Sequence, residues 1–124
     1  PPATAQAPTG TTGIRQLYHG VIEGDIDGKN RIDTLRCEFD LFFEDRVNEE
    51  GKLIVNGTYK YPRYGGRAIT LSGTYDPNTD LLVLVEYYKS GKPNCTMRVQ
   101  RTSYGFDGMF IRKNGQTLSL TMTQ

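Results

Sequence analysis

The chain has no tryptophan, one histidine and two cysteines. One histidine and two separated cysteines do not supply a structural zinc set, which takes four Cys or His ligands. No apolar run approaches the roughly 18 residues that a membrane-spanning helix requires. Neither sign of charge is in excess: 15 Lys+Arg against 14 Asp+Glu leave a net charge of +1. The molecule as a whole therefore lacks the electrostatic footprint expected for nucleic acid or an anionic membrane. Nothing around His19 resembles a nucleophile motif, and a triad needs a nucleophile and a carboxylate held on the imidazole. No cofactor or metal is expected, and the reading leans away from an enzyme.

What is abundant is glycine among rings. The chain has 14 Gly, eight Tyr and five Phe. Glycine recurs inside strand-like runs as Tyr18-x-Gly20-x-Ile22, Val55-x-Gly57-x-Tyr59-x-Tyr61, Leu71-x-Gly73-x-Tyr75 and Phe106-x-Gly108-x-Phe110. Residues two apart in a strand share a face. Each glycine thus sits among large apolar neighbours, where a missing side chain allows sharp coiling or an opposing ring. Rings packed over glycines would fill a small barrel and leave little cavity.

Alternation extends through the chain. Ile69, Leu71, Gly73 and Tyr75 share one face and Ala68, Thr70, Ser72 and Thr74 the other; Leu118, Leu120 and Met122 oppose Thr117, Ser119 and Thr121. This is half-buried antiparallel patterning. Strands are expected over residues 15–24, 32–46, 53–62, 67–76, 80–89, 94–102, 105–112 and 116–123, with turn chemistry at Asp27-Gly28, Gly65-Gly66, Pro77-Asn78 and Asn114-Gly115. The second is long enough to bend or bulge. The fold predicted is all-β: a single antiparallel up-and-down barrel of about eight strands, with a two-sheet sandwich as the alternative. Residues 14–124 form this domain. Residues 1–13, small, polar and proline-containing, read as a flexible tether, compatible with a mature secreted or lipid-anchored protein.

Several residues invite a function. Glu86 shares the phase of Leu82 and Leu84, so it points inward, where a carboxylate needs a partner; Arg101 or Arg112 could provide one. With Tyr59, Tyr75 and Phe106 it would line a small-ligand cavity. Tyr61, Arg63, Tyr64 and Arg67 make a basic, aromatic hairpin suited to protein contact. Leu81, Val83 and Val85 are apolar on the face opposite Leu82 and Leu84 and offer a homodimer surface. Cys37 and Cys95 both fall on the apolar phase, as a disulfide across the core or as two buried thiols. His19 falls on the solvent phase. Asp25-x-Asp27-Gly28-x-Asn30 superficially matches a calcium loop but lacks its closing Glu. Asn56-Gly57-Thr58 and Asn94-Cys95-Thr96 match the glycosylation sequon.

The runs Gly57-Thr58-Tyr59-Lys60-Tyr61, Ile69-Thr70-Leu71-Ser72-Gly73, Leu82-Val83-Leu84-Val85-Glu86 and Phe106-Asp107-Gly108 resemble a set of small exported bacterial β-barrel proteins, many of them lipoproteins, with G-x-Y-x-Y, I-x-L-x-G, L-x-L-x-E and F-x-G on successive strands. The match spans roughly residues 53–110. The closing G-x-W of that pattern is absent, as is the G-x-W that marks lipocalins. The resemblance implies an extracytoplasmic barrel (periplasmic, secreted or envelope-anchored) and no established activity. The functional expectation is a non-enzymatic binding domain acting through surface and loops. The alternatives are a lipocalin-like small-ligand barrel and an inhibitor or immunity-type partner. A hydrolase built on Glu86 is a further rival.

Overall fold

The computed structural model describes residues 12–124. Eight strands follow one another: β1 (Gly13–Gly24), β2 (Asp33–Val47), β3 (Leu53–Lys60), β4 (Ile69–Asp76), β5 (Leu81–Tyr87), β6 (Pro93–Arg101), β7 (Gly105–Ile111) and β8 (Thr117–Thr123), with one 3₁₀ turn at Pro62–Tyr64. Each pairs antiparallel with the next, and β8 returns to β1 from Glu23↔Ser119 to His19↔Thr123, closing the sheet. The up-and-down barrel is therefore the architecture and the sandwich is not. The expected tether falls outside the described residues except at its end, where Gly13 already belongs to β1.

The alternation of apolar and polar residues builds the interior. Tyr18, Ile22, Phe39, Leu41, Val55, Leu71, Leu82, Leu84, Met97, Val99, Leu120 and Met122 are buried on the inner face. Phe39 stacks on Tyr59 with ring centroids 5.3 Å apart. The expectation of rings over glycines needs correction. A Cβ at Gly20 would meet Cys37 Sγ and the Phe39 ring, both at 2.6 Å. At Gly57, Gly73 and Gly108 it would instead meet the neighbouring strand's backbone, at Asp40 O (2.2 Å), Val83 O (1.8 Å) and Arg98 O (2.3 Å). These three glycines permit close approach of strands, which is what a tightly coiled small barrel demands.

Two irregularities matter for the site. The β2–β3 register shifts between Phe43 and Val47, as the length of β2 suggested. The β5–β6 register shifts between Val85↔Thr96 and Tyr87↔Pro93, so Asn94 and Cys95 together face Glu86. Proline at the start of β6 suits such a bulge, because it has no N–H to give to the ladder. On its other side, β5 pairs with β4 only as far as Leu71↔Glu86. Beyond that pair the two strands splay, and a slot of about 630 Å³ lies between residues 67–70 and 86–90.

Candidate functional site

Glu86 is buried at 8 % exposure, as its phase predicted. The Tyr59 hydroxyl donates to its Oε1 and Asn94 Nδ2 donates to its Oε2 at 2.7 Å. The Tyr61 hydroxyl donates in turn to the Tyr59 hydroxyl at 3.0 Å. Burial raises both tyrosine pKa values well above the usual phenol range, and Glu86 adds to the rise. The same mouth of the barrel holds a cavity of about 200 Å³, lined by Tyr59, Tyr61, Glu86, Cys95, Phe110, Arg112 and neighbouring aliphatics.

The expected ligand set divides between the two ends. Tyr59 and Glu86 belong to the cavity just described. Tyr75, Phe106 and Arg101 line a second one, of about 260 Å³, at the opposite mouth, where Phe106 packs edge-on against Tyr18 (5.6 Å) and Tyr75 (6.0 Å). Arg101 is not the partner of Glu86. It lies beside Asp80, whose carbonyl accepts its N–H at 2.9 Å, and the nearby Tyr75 hydroxyl and Asp80 carboxylate favour its charged form. Phase along a strand fixes the face but not the height in the barrel. The β5–β6 register puts Arg101 some six residues from Glu86, about 20 Å. That register follows from the turn at 88–92, so the signal was present in the sequence. Asn94, by contrast, reaches Glu86 because of the bulge, which local patterning does not reveal.

Apart from the slot of about 630 Å³ beside residues 67–70 and 86–90, the cavities at the two mouths are smaller than the roughly 300–1,000 Å³ of common ligand pockets, and fully buried side chains fill the space between them. A lipocalin-like central cavity is therefore absent among the described residues. Tyr61 also departs from expectation: it turns inward onto Tyr59 and does not join Arg63, Tyr64 and Arg67 at the exposed hairpin tip. Tyr64 is 67 % exposed, with Arg63 stacked over it at 6.0 Å.

The cysteines are both buried and both free. Desolvation pushes Cys37 up to about 12 and Cys95 to about 11, from an ordinary 9.0, which makes them poor nucleophiles at neutral pH. His19 lies outside, its Nδ1 2.6 Å from Glu38. Leu81, Val83 and Val85 are half-buried on the outer face. Asp27 and Asp25 accept within their own loop, from Lys29 N and Asn30 N, each at 3.1 Å, while the other oxygen of Asp25, Oδ1, is buried without a hydrogen-bond partner among the described residues. Both sequon asparagines direct their amides onto a buried carboxylate: Asn94 onto Glu86, and Asn56 onto Glu44 at 3.0 Å.

Charge is distributed unevenly along the axis. The connections at the Glu86 end are residues 25–32, 61–68, 88–92 and 112–116. They carry Lys29, Arg31, Arg63, Arg67, Lys89, Lys92, Arg112 and Lys113 against Asp25 and Asp27 alone. The opposite connections, 48–52, 77–80 and 102–104, carry Glu49, Glu50 and Asp80 against Lys52. A net charge near zero thus conceals a basic end and an acidic end. The whole-molecule argument against anionic partners does not apply to the basic end. No family model matches the chain, and no curated protein or solved structure is significantly similar to it.

Proposed function

We propose that this barrel is a non-enzymatic, extracytoplasmic binding domain that engages the acidic surface of a protein partner through the loops at its basic end. The observation that carries the reading is the segregation of basic residues onto those connections. Arg63, Arg67, Lys89 and Lys92 form no ion pair among the described residues. Tyr64 and Tyr88 stand exposed among them, with Lys113 over the Tyr88 ring at 5.5 Å. Tyrosine and arginine together are the usual anchors of protein interfaces, and a patch of one sign steers an oppositely charged partner. The packed interior supports the same reading, because it leaves the surface as the larger binding area. Export rests on the resemblance of residues 53–110 to small exported barrels. An inhibitor or immunity-type role is one form the partnership can take.

The test is retention of a partner from the native envelope or medium on immobilised protein at low and high salt. Retention should fall with salt and be lost in the double variant Arg63→Ala, Tyr64→Ala. Retention that this double variant leaves unchanged would overturn the proposal.

A further inference from the structure

Two carboxylates are buried in this barrel, and they are satisfied differently. Glu44, at 2 % exposure, accepts from Asn56 and also from the guanidinium of Arg46 at 2.6 Å. Glu86 accepts only from neutral groups, Tyr59 and Asn94. Among the described residues no cation lies within ion-pair distance of it. A buried carboxylate without a countercharge is costly. A carboxylate offers about four lone-pair sites, and two of those on Glu86 are taken. The group lines an open cavity of about 200 Å³.

Arg112 stands in the wall of the same cavity. It donates from Nη1 to Ile26 O at 2.6 Å and to Gln116 Oε1 at 2.9 Å. Both acceptors are neutral, and Arg112 joins no ion pair among the described residues. One small cavity therefore holds an uncompensated anion and an uncompensated cation that do not meet each other. Rings of Tyr61 and Phe110 complete its wall. We propose that this cavity binds a small amino-carboxylate, its ammonium on Glu86 and its carboxylate on Arg112. An ammonium is favoured beside ring faces, and a guanidinium matches a carboxylate with two parallel donors. The volume equals that of about seven water molecules, which suits a short chain, and the neighbouring slot of about 630 Å³ also reaches Glu86. Arg112 attracts the carboxylate end of such a molecule, and Glu86 selects the amine. The size and charge of the cavity carry this inference independently of any protein partner.

The experiment is an amide-resolved NMR titration of the intact, isotope-labelled chain. The probes are glycine, β-alanine, γ-aminobutyrate and 6-aminohexanoate, with propylamine and propionate as half-ligands. At least one amino-carboxylate should give saturable shifts at Glu86, Asn94, Cys95 and Arg112, at least about 10-fold tighter than either half-ligand. Affinity should peak at one chain length. Glu86→Gln should remove the advantage over propionate, and Arg112→Gln the advantage over propylamine. The proposal is overturned if no probe shifts these amides saturably by about 20 mM, or if a half-ligand binds as tightly as every amino-carboxylate. Should Glu86→Gln fail to fold, the chain-length series on the native chain and Arg112→Gln still decide. The Arg63→Ala, Tyr64→Ala double variant should titrate normally, which separates this site from the protein-binding surface.

Discussion

The Tyr59 hydroxyl donates to Glu86 while it accepts from the Tyr61 hydroxyl, so one oxygen joins a buried carboxylate to a second phenol. Removing that oxygen leaves two polar groups short of a partner. Tyr59→Phe should cost about 1–3 kcal/mol, measured by urea denaturation. A double-mutant cycle with Glu86→Gln should give a coupling of about 0.5–3 kcal/mol. Additive effects would mean that the charge of Glu86 adds nothing to the contact, since the glutamine oxygen still accepts from Tyr59.

Gly73 and Gly91 separate two causes of glycine dependence. A Cβ at Gly73 would lie 1.8 Å from Val83 O on the adjacent strand. Gly73→Ala should therefore force β4 and β5 apart and cost about 3 kcal/mol or more. Gly91 has a φ of +85°, and nothing lies within 4 Å of the point an added Cβ would occupy. Gly91→Ala thus meets only backbone strain, about 1–2 kcal/mol. Thermal melts of the two variants should rank in that order.

The buried thiols predict an alkaline limit to stability. Folded pKa values near 12 for Cys37 and near 11 for Cys95 exceed the ordinary 9.0. The folded state thus favours the protonated thiols. That contribution is fully present below pH 9 and is lost as pH rises through about 11 and about 12. Tyr59 and Tyr61 are shifted in the same direction and add to the loss. Urea midpoints should be level with respect to these groups up to about pH 9 and fall above it. Iodoacetamide at pH 8 should label Cys37 far more slowly than a free thiol; rapid labelling in the folded state would contradict the burial.

Charge reversal on the basic loops should affect binding and not folding. Arg67→Glu with Lys89→Glu alters exposed side chains, so the melting temperature should stay within a few degrees, corresponding to about 0.5 kcal/mol per site. Affinity for poly-L-glutamate, measured by titration at low salt, should fall at least about 10-fold, and its salt dependence should flatten. Equal affinity in the variant would remove the basic end as the anion-binding surface.

The strands, their order and the inward turn of Glu86 were legible because a two-residue period is a local property. All eight strands lie within a few residues of where alternation and turn chemistry set them. What phase along a single strand could not supply was height along the barrel, which comes only from laying neighbouring strands in register. Tyr59 and Tyr75 share an inner face yet belong to opposite mouths, and Arg101 shares the phase of Val99 and Met97 yet sits far from Glu86. The inward turn of Tyr61 depends on the 3₁₀ turn at Pro62–Tyr64, which follows it immediately. The pairing of Asn94 with Glu86 depends on one extra residue in β6, whose effect appears only when two strands are laid side by side.

The closure of β8 onto β1 has a directional consequence. Gly13 enters the sheet opposite Glu44, and Gln124 bonds back to Gln16 and to Tyr104, so both the start of β1 and the last residue stand at the acidic end. Arg63, Tyr64 and Lys89 therefore stand at the other end of the barrel from Gly13 and Gln124, with the full length of the strands between them.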